Sequence, residues 1–212
     1  MIGSVSVSAG NLIVIAAPSG AGKTSLVKAL SESMEYLQIS VSHTTRAMRP
    51  LEIDGQDYFF VSEEKFSNMA EKKAFLEYAT VYGKHYGTSR DWVLDHLARG
   101  IDVILEIDWQ GAQQVKKLFP DAVLVFILPP SLDELKVRLQ NRKQDDADTI
   151  AQRMLAAQDE MSHYREFDYL VVNDQFDIAL HDLQHIVLAA RLKLKLQLTK
   201  QAALLENLLK KQ

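Results

Sequence analysis

An α/β fold built on a parallel sheet is predicted by three features of the sequence. Short β-rich apolar runs alternate with amphipathic helical stretches along most of the chain. Those runs have no regularly polar face, as expected of strands covered by helices on both sides. One of them, "NLIVI", runs directly into the glycine-containing turn "AAPSGAGKTSL" and then into a helix. Strand, small-residue loop and helix in that order form the usual unit for holding phosphate.

The elements follow in sequence. Leu12–Ala16 is the first strand, and Lys23–Met34 the helix after the loop. Leu37–Val41 is a second strand. Ser89–Arg99 is a helix stopped by Gly100 at a C′ position, and Ile101–Ile107 is the strand that follows. Trp109–Leu118 is a helix and Val123–Leu128 a strand. A further helix begins at Ser131, where Ser131 and Glu134 form a capping-box pair. Tyr169–Val172 is the last strand, and the chain from Phe176 to Gln212 reads as one long helical pattern. All five strands are expected to be buried on both faces.

Two segments interrupt the alternation. Residues 44–88 are rich in Tyr and Phe, with strand-like "YFFV" and "FLEYATVY" around a short helix, and read as a small mixed insert. Residues 136–164 are charged and helical around the polar knot "NRKQDDAD", which suits a mobile flap. The core is then assembled from 11–43, 89–135 and 165–190, with 191–212 as a C-terminal helical extension.

Composition narrows the class. The 212 residues are 47% hydrophobic and 25% charged, with a net charge of −4, which fits a globular chain with no global basic field for nucleic acid. Cysteine is absent, which excludes disulfides and thiolate metal sites. "MIGSVSVSAGN" has neither the basic region nor the apolar core of a signal peptide, and nothing reads as a membrane span, so a cytoplasmic protein is expected.

Ala17-Pro18-Ser19-Gly20-Ala21-Gly22-Lys23-Thr24 fits the phosphate-loop pattern except that Ala17 replaces the first glycine, which requires a negative φ there. Backbone N–H groups of such a loop curl around a polyphosphate, Lys23 reaches the outer phosphates, and the Thr24 hydroxyl suits Mg²⁺. A nucleoside triphosphate is the expected ligand. "VILEID" delivers Glu106 and Asp108 at the C-terminal end of a strand, where ligands gather in open sheets; either acid could orient Mg²⁺ through water. In the insert, Arg46, Arg49 and Tyr58 offer two forked cations and a phenol, a set that suits a monophosphate dianion.

"APSGAGKTSL", "SVSHTTRAMRPLEIDGQDYFFVS", "FLEYATVYGKHYGTS", "VILEIDWQGAQQVK", "FILPPS" and "VVND", in this order, resemble guanylate kinase of the bacterial type, from about Leu12 to past Asn173. The resemblance implies a P-loop kinase core, a GMP-binding insert, a helical lid and the reaction ATP + GMP → ADP + GDP with Mg²⁺, with dGMP as a further acceptor. Carried over by position, Arg46, Arg49, Tyr58 and Tyr86 would hold the GMP phosphate. Ser42, Glu77 and Thr88 would read the base, with Asp108 beside the acceptor. Guanine chemistry agrees: its adjacent N1–H and N2–H₂ donors suit a carboxylate such as Glu77, and its O6 suits the hydroxyls of Ser42 and Thr88. Arg138, Arg142 and Arg153 match the family's lid arginines, which close over the transferring phosphoryl group. Asn173 matches a position lining the adenine pocket. His43 departs from the serine or threonine common there and is expected to be an exposed ring beside the site.

Two other readings stay open on sequence grounds: a guanylate kinase-like binding module without activity, and a P-loop kinase of a sugar phosphate. The intact Gly22-Lys23-Thr24 argues against the first, and Ser42, Glu77 and Thr88 together against the second. In the tail, Leu194, Leu198, Leu205 and Leu208 fall on one broad face when read as a helix; such a stripe either folds back on its own core or is covered by a partner, and a homo-oligomer, at least a dimer, formed through that helix is expected.

Overall fold

The computed structural model describes residues 10–81, 83–141 and 147–210; Arg142 lies outside the described residues. In chain order the elements are β1 (Leu12–Ala16), α1 (Lys23–Ser33), β2 (Leu37–Ile39), β3 (His43–Thr44) and β4 (Phe59–Phe60). Then come α2 (Glu63–Glu71), β5 (Phe75–Val81), β6 (Lys84–Ser89), α3 (Arg90–Ala98), β7 (Asp102–Glu106), α4 (Trp109–Leu118) and β8 (Val123–Leu128). The chain continues through α5 (Leu132–Asn141), α6 (Ala147–Ser162), a 3-10 turn at His163–Glu166, β9 (Tyr169–Val172), α7 (Phe176–Arg191), α8 (Leu194–Lys200) and α9 (Ala202–Leu209).

The main sheet has the order β2-β7-β1-β8-β9 with every pairing parallel. Side-chain alternation on β1 divides the core into two layers. Ile13 and Ile15 pack with Leu26 and Leu30 of α1 and Leu183 and Val187 of α7. Leu12 and Val14 pack with Val93 and Leu97 of α3 and Val115 of α4. Full burial on both faces holds for the central strand β1 and for β8 up to its last residue. It does not hold for β9, where Tyr169, Leu170 and Val172 are exposed and only Val171 is buried, because β9 closes one edge of the sheet. The other edge strand, β2, is shorter than expected and ends at Ile39.

The insert forms a second, mixed sheet, β4-β3-β6-β5, in which β3 pairs parallel with β4 and antiparallel with β6. Between Phe75 and Tyr78 the β5–β6 register shifts by a bulge. The bulge breaks the two-residue alternation, so Phe75, Leu76 and Glu77 are buried in succession. Leu76 joins the main core, while its neighbour Glu77 is free to face the site.

Two expectations about the tail are corrected. The chain after Phe176 is three helices, because Lys193 adopts an extended ψ of 132° and α8 ends at Lys200, with Gln201 as its cap. The turn at Lys193 buries Leu196 and lets Lys195 pair with Asp121, while the Gln197 amide caps the Arg191 carbonyl at 2.8 Å. The four leucines therefore sit on two separate helices rather than one face: Leu194, Leu198 and Leu208 are exposed and Leu205 is half-buried. Upstream, Arg191 anchors the end of α7 to buried Asp102 at 2.7 Å. Among the described residues no helix is long and apolar enough to cross a membrane.

Candidate active site

The loop between β1 and α1 turns on two glycines, Gly20 at φ 93° and Gly22 at φ 90°, where a side chain would be strained. Ala17 has the negative φ that its Cβ requires, since the positive-φ non-glycine residues among those described are Tyr36 and Lys73. Beneath the loop lies Asn173, buried at the end of β9, whose Nδ2 donates to the Ala21 carbonyl at 2.7 Å. A Cβ on Gly22 would collide with that amide. Asn173 is thus a strut under the loop, and Ala21 is buried with it. Its own carbonyl accepts from Arg138 Nη2 at 3.1 Å, while Arg138 Nε donates to Glu134 at 2.9 Å.

One cavity joins the loop to the insert. Pro18, Ser19, Gly20, Gly22, Lys23 and Thr24 line one side, and Ser42, Arg49, Tyr58, Glu77 and Tyr86 the other; Ala17, Glu106, Asp108, Arg153 and Glu160 complete the wall. Lys23 Nζ donates to the Ile107 carbonyl at 3.2 Å, which holds the ammonium over the ends of the strands. Thr24 Oγ1 donates to Glu106 in a short contact. These two hard oxygen donors, side by side at the head of the loop, fit Mg²⁺, which takes few protein ligands alongside substrate phosphates. Among the described residues no group of three or more His, Asp or Glu could hold a metal without such help. Asp108 is occupied differently: its Oδ1 caps α4 by accepting from the Gly111 N–H at 2.9 Å, and Oδ2 accepts from Gln110 at 3.2 Å.

Glu77 is 4% exposed. Burial, reinforced by the Asp108 charge and opposed by the Thr88 hydrogen bonds, pushes its carboxyl up to about 7. The Thr88 hydroxyl, fully buried, donates to Glu77 Oε1 at 2.5 Å. Thr88 therefore stands behind Glu77 and orients it. The second carboxylate oxygen lies over Gly111, where an added Cβ would come within 2.6 Å of Oε2. Only a glycine at that place on α4 lets the carboxylate reach its position.

Arg46 is engaged within the insert. Its fork is taken by Glu52, with Nη1 to Oε2 at 2.9 Å and Nη2 to Oε1 at 2.6 Å. The guanidinium lies over Tyr58 and Phe60, 5.4 and 5.6 Å from the ring centroids. Glu52 also accepts the Arg49 backbone N–H at 2.8 Å. Of the two arginines, Arg49 lines the cavity and Arg46 buttresses the wall behind it. Burial, with the charges of Glu106 and Tyr86 adding to it, pushes the Tyr58 phenol up to about 12, so it stays a hydrogen-bond donor. His43 is half-buried rather than exposed. It stacks on Phe59 at 4.8 Å and meets Phe75 edge-on at 5.6 Å, its Nδ1 has no hydrogen-bond partner, and burial lowers its pKa.

The sequence reading missed Glu52, Gly111 and Glu160. Glu160 had one usable signal: it lies seven residues after Arg153, two helical turns on one face of α6, and both line the cavity.

Comparison with known proteins places the whole chain in a family. The Guanylate kinase family model matches residues 9–190. The guanylate kinase of Coxiella burnetii (strain RSA 493 / Nine Mile phase I) is 55% identical over 202 residues, covering 95% of this chain and 98% of that protein. That of Legionella pneumophila (strain Paris) is 56% identical over 208 residues, covering 98% and 100%. The crystal structure of guanylate kinase from Anaplasma phagocytophilum aligns with a TM-score of 0.75 at 31% identity, over 89% of each chain. A phosphate loop facing a buried carboxylate across one cavity, within a match of this length, means that the chain belongs to the guanylate kinase family.

Proposed function

We propose that this chain is a guanylate kinase that transfers the γ-phosphate of ATP to GMP, giving ADP and GDP, and accepts dGMP as well. The observation that carries the reading is Glu77, a carboxylate buried in the cavity wall across from Lys23 and Thr24. A buried carboxylate costs stability unless a ligand supplies donors, and guanine carries two adjacent ones where adenine has an acceptor and a single amine.

The donor lies along the loop from Ala17 to Thr24, with Lys23 on its outer phosphates. The acceptor phosphate is held by Arg49, Tyr58 and Tyr86, and Arg46 acts through Tyr58. Its second pKa is about 6, so at neutral pH it is already a nucleophile and no protein base is needed. Alignment and charge neutralisation then supply most of the rate. Thr24 and Glu106 would hold Mg²⁺, which supplies neutralisation of the donor phosphates. Ser42 and Glu77 read the base, and Thr88 orients Glu77. Arg153 in the cavity wall, with Arg138 and Arg142, supplies positive charge from the lid, residues 136–164; the insert of residues 44–88 carries the acceptor. The enzyme works in the cytoplasm as a homo-oligomer joined through the exposed leucines of α8 and α9.

The reading is tested by mixing the protein with ATP and Mg²⁺ and offering GMP, AMP, dTMP or ribose phosphate in turn while following ADP release. GMP alone among these four is expected to support turnover. Release without any acceptor, or equal release with all, would overturn it.

A further inference from the structure

The lid helix carries a carboxylate onto the donor loop. The Ser19 amide N–H donates to Glu160 Oε2 at 3.2 Å, and Glu160 lines the same cavity as Gly20, Gly22 and Lys23. Loop amides that converge ahead of a helix N-terminus form an anion site. A carboxylate set there meets the donors that a phosphate oxygen would meet.

Glu160 is held at this height from two sides. On α6, buried Ala157 with Met154 and Met161 packs against Leu135 and Leu139 of α5. One turn past Glu160, the His163 ring stacks on Trp109 with centroids 3.5 Å apart and planes 8° from parallel. His163 also pairs with Glu166 at 2.7 Å, and Glu166 accepts from Gln113 of α4. Packing on both sides therefore fixes the height of α6 from which the Glu160 carboxylate reaches the Ser19 amide. Burial raises the Glu160 pKa, with Asp108 and Asp159 adding to the rise; the Ser19 amide and Lys23 oppose it. A triphosphate entering beside it adds negative charge on the same side, and the two anions compete for one amide and one ammonium.

We propose that Glu160 sets the donor affinity of this enzyme, as an internal anion that occupies the Ser19 amide when no nucleotide is bound and that the outer phosphates of ATP must displace. The inference rests on the loop being the ATP site. It gives ATP a mechanical hold on α6, since displacing Glu160 moves the helix that also bears Arg153.

Glu160→Gln keeps shape and an acceptor while removing the charge. Calorimetric titration of the full chain with the β,γ-methylene analogue of ATP, with adenosine and with GMP, all in Mg²⁺, tests the proposal. The variant is expected to bind the ATP analogue about tenfold more tightly, a modest coupling between sites, with adenosine and GMP unchanged. Unchanged or weaker binding of the analogue would overturn the proposal, as would equal tightening of adenosine, which has no phosphate to compete. Should the glutamine variant not fold, Glu160→Asp withdraws the carboxylate by one methylene and is expected to shift the analogue in the same direction. A natural chain that binds no analogue would overturn the ATP-site reading together with this inference. One that binds while neither variant tightens would overturn the inference alone.

Discussion

The guanine recognition proposed for Glu77 would be coupled to proton release. With its carboxyl pushed up to about 7 by burial, Glu77 is about half protonated at neutral pH when the cavity is empty, whereas the guanine N1–H and N2–H₂ need the carboxylate. The apparent dissociation constant then scales as one plus the ratio of proton concentration to the acid constant. Between pH 8 and pH 6 that factor grows about tenfold. GMP itself confuses the measurement, because its phosphate titrates near 6. Guanosine does not, so its affinity should be measured by calorimetry at intervals from pH 6 to pH 8. Binding is expected to weaken about tenfold on acidification, and Glu77→Gln should remove the dependence. A flat profile for the natural chain, or the same slope in the variant, would refute the reasoning. The same shift has a stability consequence of opposite sense. A carboxyl raised in the folded state contributes its full stability below its ordinary value of 4.5 and loses it as pH rises through about 7. The loss is about 3 kcal/mol, so in the absence of ligand Glu77→Gln should have a higher Tm than the natural chain at pH 8.

Three further outcomes follow from the geometry. Gly111→Ala places a Cβ within 2.6 Å of Glu77 Oε2 and should raise the KM for GMP by on the order of tenfold or more with the KM for ATP little changed; steady-state kinetics with each nucleotide varied will tell, and equal effects on both would contradict it. Lys23→Ala should abolish turnover while calorimetry finds GMP binding intact, and Arg49→Ala should raise the KM for GMP strongly; if both weaken GMP alike, the donor and acceptor phosphate sites are misassigned. Leu198→Glu with Leu208→Glu, both at exposed positions, should convert an oligomer to monomer in light scattering with kcat unchanged, and a natural chain already monomeric at micromolar concentration would defeat the oligomer proposal.

The parts of the fold legible in the sequence were those governed by local pattern. β1, the phosphate loop and α1 follow from an apolar run, two glycines that must take positive φ and a helix start, and all three depend on neighbouring residues alone. The same holds for the Ser131 cap, where Glu134 N–H donates to the hydroxyl at 3.1 Å. The sequence says least where a residue's partner is set by the tertiary fold. The resemblance puts Thr88 at the base, and its hydroxyl proton is directed at Glu77, eleven residues away across a bulged hairpin, a contact that local pattern does not contain. The pairing of both arms of the Arg46 fork with Glu52, six residues on, is likewise a contact the motif does not reveal. Asn173 serves the loop through a hydrogen bond to a residue 152 positions earlier. The tail misled for another reason: each segment favours helix, and the break at Lys193 follows from tertiary contacts of Lys195, Leu196 and Gln197 that propensity does not contain.

Acceptor selectivity in the natural chain and in Glu77→Gln is the most direct test of the account, because it asks whether the buried carboxylate is what makes this a GMP kinase. The measurement is kcat/KM for GMP and for AMP, at saturating ATP and Mg²⁺ and at pH 8, where Glu77 is ionised. The natural chain is expected to favour GMP by at least about a thousandfold, as sites built around substrate hydrogen bonds do. In Glu77→Gln an amide faces two guanine donors with only one acceptor, and kcat/KM for GMP should fall by an amount worth about 2–4 kcal/mol while that for AMP changes little. Equal losses for the two acceptors, or full GMP activity in the variant, would contradict the assignment of guanine recognition to Glu77.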